Sequence, residues 1–131
     1  MALDSEQAAK VQPSPTASKD SVDVAVEAAK DLRDMGLDNI AEDIEARILL
    51  GEKKYGRRLQ SHNGRDAWLD AYQEALDCIN YGRQVQVEGL DDGLLFDLSV
   101  DLAAYIKEQM ELRNAQEEIH VDGFRERSAT P

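Results

Sequence analysis

The sequence predicts an all-α protein: a bundle of about four helices, with a helical domain at 20–113 between a disordered N-terminal tail (1–19) and a flexible C-terminal tail (114–131). Three observations carry that expectation. Apolar residues recur at spacings of three and four in every ordered segment. Glycines and an Asn-Gly pair punctuate the segments. The only alternating stretch, Gln84 to Val87, is too short for a useful strand.

The elements follow in order. Residues 1–19 show no hydrophobic period, and Val-Gln-Pro-Ser-Pro-Thr at 11–16 reads as extended chain. Asp20 or Ser21 caps a first helix to about Met35, with Val22, Ala25, Val26, Ala29 and Leu32 on one face and Gly36 as the stop. Asp38 caps a second helix, whose apolar stripe is Ile40, Ile44, Ile48 and Tyr55 and which stops at Tyr55-Gly56. A loop covers 56–64. The third helix starts near Arg65 or Asp66 and reaches about Tyr81, with Val85 and Val87 as a possible continuation past Gly82. Gly89 to Gly93 is a turn. A fourth helix runs from Leu94 to Arg113 and places Leu94, Leu98, Leu102, Tyr105, Ile106 and Leu112 on one side. Phe96 and Val100 fall on another side, which predicts a homo-oligomer, dimer or tetramer.

Composition narrows the function classes. The chain has 131 residues, one domain's worth, and a formal charge of −12. Such a charge disfavours general nucleic-acid binding and anionic membrane surfaces. No apolar run approaches the ~20 residues of a membrane span. The N-terminus has no basic region followed by an apolar core, so no secretory signal is expected. Cys78 is the only cysteine, which rules out an intrachain disulfide and makes a cytoplasmic location the expectation. His62, His120 and Cys78 are too scattered for a zinc pattern.

The charge is also unevenly distributed. Residues 52–65 hold one acid and five bases, a net of +4 that leaves −16 for the rest. Lys53, Lys54, Arg57, Arg58 and Arg65, with Asn63 in the same loop, are candidate phosphate-binding residues. Beyond that island the third helix puts Asp66, Asp70, Glu74 and Asp77 on one stripe, and no base interrupts it between Arg65 and Arg83. The second helix carries Glu42 and Glu45 on adjacent turns. Carboxylates for a divalent cation beside cations for phosphate are the equipment of a Mg²⁺-dependent nucleotide enzyme. Asp70, Glu74, Asp77, Glu42 and Glu45 are therefore the candidate Mg²⁺ ligands. Since these acids lie opposite the apolar stripes, that site requires the polar faces of two helices to meet, or a second subunit to cover them.

The Glu-x-x-Glu of the second helix (Glu42, Glu45) followed by Glu-x-x-Asp on the third (Glu74, Asp77) resembles the metal-binding pattern of the MazG-like all-α nucleoside triphosphate pyrophosphohydrolases. The stretch Asp70 to Tyr81 is similar to that family's second metal helix. The run Arg47-x-x-x-Gly51-x-x-x-Tyr55-Gly56-x-x-Leu59, then Asn63-Gly64-Arg65-Asp66, resembles small phage-encoded proteins given the same label. The likeness covers residues 40–82. It implies Mg²⁺-dependent hydrolysis of a nucleoside triphosphate to monophosphate and pyrophosphate, in the cytoplasm of a bacterium or phage-infected host, with Glu45 or Glu74 activating water. Two other readings stand beside it: a non-catalytic helical protein that binds a nucleotide-derived ligand, as in phage counter-defence, and one that binds a protein partner.

Overall fold

The computed structural model describes residues 6–16, 18–56 and 58–129. The described chain is all-α, and its elements are α1 (Glu6–Ala9), α2 (Val24–Asp34), α3 (Asp38–Tyr55), α4 (Ala67–Val87) and α5 (Leu94–Ala129). The four principal helices are those the apolar spacing predicts. They form two compact units, a central one of residues 13–65 and a terminal one that joins the residues up to Gln12 with those from Asp66 onward.

In the central unit α2 packs on α3. Asp23, not Asp20 or Ser21, caps α2, its carboxylate accepting the N–H of Val26. The end of α2 is a Schellman turn: Gly36 N–H donates to the Arg33 carbonyl and Leu37 N–H to the Leu32 carbonyl. Gly36 takes a φ of +79°, which a side chain would resist. The interior of this unit is built on alanines, with Ala25, Ala29 and Ala41 buried.

Residues 16 and 22–24, expected as tail and helix start, pair with 59–63, with one antiparallel bridge between Asp23 and Gln60. Val24 N–H donates to the Leu59 carbonyl, Ser61 N–H to the Val22 carbonyl, and Thr16 N–H to the Asn63 carbonyl. Two irregular segments thus satisfy each other's backbone groups, which neither does alone.

In the terminal unit α4 packs on α5, and α1 lies against α4. The core is Leu69 and Ala75 of α4 with Ala103, Ile106 and Met110 of α5, flanked by Trp68, Tyr72 and Ile79. On α4 these residues recur at spacings of three and four, opposite its acidic stripe. On α5 the predicted face differs: Leu94, Leu98, Leu102, Tyr105 and Leu112 are exposed, whereas Ser99, Ala103, Ile106 and Met110 are buried. The reason is backbone proximity. A Cβ built on Gly82 would lie 2.7 Å from the Cα and N of Phe96. Helices this close need small residues between them, and α5 offers Ser99 and Ala103 there, not its leucines. Gly82 is thus an interior contact of α4, not its stop. Phe96, expected on an assembly face, is half-buried, its ring under the Arg83 guanidinium at 3.9 Å.

α5 also continues beyond Arg113, where the sequence reading places a flexible tail. Residues 114–122 contain no proline or glycine and include the good helix formers Ala115, Gln116, Glu117 and Glu118, so an existing helix propagates through them without a new nucleus. Among the described residues no helix is long and apolar enough to cross a membrane.

Candidate functional site

The candidate residues divide between the units. Glu42, Glu45, Lys53, Lys54, Arg58, Asn63 and Arg65 belong to the central unit, and Asp70, Glu74 and Asp77 to the terminal one. Arg57 lies outside the described residues.

On α4 the acidic stripe is not uniform. Asp66 caps the helix, its Oδ1 accepting from Trp68 N–H at 3.0 Å and Leu69 N–H at 3.3 Å. The same carboxylate receives both Nη groups of Arg113 from α5, at 3.0 and 2.8 Å. These hydrogen bonds from Arg113 hold the Asp66 carboxyl below its usual range, against the opposing effect of partial burial and with help from the Leu69 and Trp68 N–H groups. Asp70 accepts from the Gln12 amide at 2.8 Å. Glu74 and Asp77 are exposed. A base from α5 and an amide from residue 12 therefore meet the first half of the stripe, neither visible in helix spacing.

On α3, Glu42 and Glu45 are both exposed, and Glu45 forms an ion pair with Arg33 of α2. That hydrogen bond raises the Arg33 pKa above its ordinary value. Lys53 and Lys54 are exposed in the last turn of the helix. Arg58 donates to Glu52 at 2.9 Å and to Asp23 at 3.0 Å, and both bonds raise its pKa. Asn63 shapes its turn, its Oδ1 accepting the Arg65 N–H, while Arg65 Nη1 donates to the Pro13 carbonyl at 2.8 Å. Asn63 thus has a structural partner within its own loop, and Arg65 one in the N-terminal segment.

The structure brings Glu45 and Arg58 to one place, an open groove of about 560 Å³ between α2 and α3. Ala25, Val26, Ala29, Ile48 and Leu49 supply its apolar wall; Lys30, Arg33 and Arg58 supply three cations, Asp34 and Glu45 two anions. Its volume lies in the range of small-molecule sites. Lys30 and Arg33 were missed from the sequence, where α2 was read for its apolar face alone. Their spacing of three, alongside Val26 and Ala29, was the available signal.

A resident Mg²⁺ fits less well. Among the described residues no group of three or more His, Cys, Asp or Glu side chains is arranged to hold a metal ion. Mg²⁺ is commonly held by one or two carboxylates completed by waters and substrate phosphates, so Glu42 with Glu45, or Glu74 with Asp77, supplies at most part of a shell. No protein-family model matches the chain, and no curated protein and no solved structure is significantly similar to it.

Proposed function

We propose that the α2–α3 groove binds a nucleotide, or a nucleotide-derived ligand, through its phosphates. One observation carries this reading: Arg58, from the basic island, lines the same groove as Arg33, Lys30 and an apolar wall. A guanidinium matches phosphate oxygens in a two-pronged contact, and small and branched side chains accept the flat face of a base. Carboxylates already orient both arginines, Glu45 holding Arg33 and Glu52 with Asp23 holding Arg58. Their forks are placed before a ligand arrives, which lowers the entropic cost of binding. The negative charge of the remaining chain favours a small ligand over a nucleic acid.

Hydrolysis of a nucleoside triphosphate to monophosphate and pyrophosphate is the second reading. It is favoured by Glu45, a carboxylate in the wall of a groove lined by three cations. Titration calorimetry with each ribo- and deoxyribonucleoside triphosphate and monophosphate, with Mg²⁺ and with a chelator, tests both readings. Binding that survives chelation, without product, supports the binding reading. Mg²⁺-dependent release of pyrophosphate supports the second. Binding of no nucleotide under any condition overturns both.

A further inference from the structure

We propose that α5 pairs in parallel with α5 of a second copy of this chain. The sequence of α5 contains a seven-residue repeat. Leu95, Leu102, Gln109 and Gln116 recur every seven residues, and Leu98, Tyr105, Leu112 and Ile119 do the same three positions later. Alternating steps of three and four are the seam of a left-handed coiled coil, with the first series at its a positions and the second at d. The seam ends where the next a position falls on Gly123.

The structure leaves this seam uncovered. Leu98 is 58% exposed, Tyr105 55%, Leu112 50% and Ile119 72%. The strip that meets α4 is the neighbouring one, with Ser99, Ala103, Ile106 and Met110, so α5 accommodates α4 and a second helix together. Six apolar side chains exposing roughly 100 Å² each offer ~600 Å², the lower end of the ~600–1,000 Å² per partner of a standard interface. A patch of that size lies at the upper end of what monomers leave in water.

Charge and polarity select the partner and its direction. Asp101 and Glu108 flank the seam on one side and Arg113 flanks it on the other, five residues after Glu108. A parallel second copy brings Glu108 of one chain towards the outer side of Arg113 of the other, whose Nη groups hold Asp66 of its own chain. An antiparallel copy would set Asp101 against Glu108, like against like. A parallel pairing also places Gln109 opposite Gln109, where two amides bond to each other within the seam and fix its register.

Sedimentation equilibrium of the full chain, from ~1 to ~100 µM, tests the proposal. A dimer is expected. Leu98→Glu with Leu112→Glu should weaken it by ~100-fold or more, with an unchanged circular dichroism spectrum because both side chains are exposed. Val100→Glu, off the seam, should leave it intact. In a Cys78→Ser background, Leu112→Cys should form a covalent dimer on mild oxidation. A monomer mass at ~100 µM, or a dimer that persists in the double variant, overturns the pairing. Failure of Leu112→Cys to crosslink, while a mixture of Leu98→Cys and Gln116→Cys chains does crosslink, overturns the parallel direction.

Discussion

Arg113, near the middle of α5, closes a two-pronged ion pair on Asp66, the residue that caps α4, with N–O distances of 3.0 and 2.8 Å. One carboxylate thus terminates a helix and joins it to its neighbour. Arg113→Ala should cost about 1 kcal/mol, kept small by solvent screening of a guanidinium side chain that is 37% exposed. Asp66→Ala loses the cap as well and should cost about 2 kcal/mol. Urea unfolding at pH 7 measures both.

The same pair sets a pH dependence. The carboxyl of Asp66 is held below its ordinary value in the folded chain. Its contribution is therefore complete above the unfolded value of about 3.9 and is lost as pH falls below that value towards the folded one. The stability difference between wild type and Arg113→Ala should be constant from pH 8 to 5 and shrink below pH 4. A difference that instead grows on acidification would show that the pair is not responsible.

Gly82 and Gly51 are helix glycines with opposite expected outcomes. At Gly82 a Cβ would meet the Phe96 backbone at 2.7 Å, so Gly82→Ala must push α4 and α5 apart and should cost about 2–3 kcal/mol. At Gly51 nothing lies within 4 Å of the added atom, so Gly51→Ala should stabilise by about 0.5–1 kcal/mol through helix propensity. Melting temperatures of the two variants should move in opposite directions.

Gln12 ties the N-terminal segment to α4. Its Nε2 donates to the Asp66 carbonyl at 3.0 Å and to the Asp70 carboxylate at 2.8 Å, and its Oε1 accepts the Asp66 N–H. Gln12→Ala should cost about 1 kcal/mol, since water replaces part of what is lost. It should also speed proteolysis of residues 6–12, measured by mass spectrometry of a timed digest.

The two readings of the groove separate on the carboxylates. If the protein only binds, Glu74→Gln and Asp77→Asn leave nucleotide affinity unchanged, while Arg58→Ala weakens it roughly tenfold or more. If it hydrolyses a triphosphate in the groove, Glu45→Gln abolishes pyrophosphate release. Assays of binding and turnover on the same four variants decide between them.

Helix identity and most helix ends were legible in the sequence because they depend on local chemistry. Apolar spacing placed α2 to α5, the glycines at 36 and 56 marked two stops, and Asp66 stood at the start of α4. Tertiary structure decided which face of α5 is buried. Periodicity pointed to the leucine strip, whereas the backbone contact at Gly82 buries the neighbouring strip with small residues, Ser99 and Ala103. It also decided the electrostatics. Arg113 is 47 residues from Asp66, and Arg33 is 12 residues from Glu45 on a different helix, so neither partner could be read from spacing within one helix. The same holds for the groove: Arg58 was evident from the basic island, but only the packing of α2 on α3 brings Lys30 and Arg33 beside it. Short-range rules set what each segment becomes, and long-range packing sets which charges and faces meet.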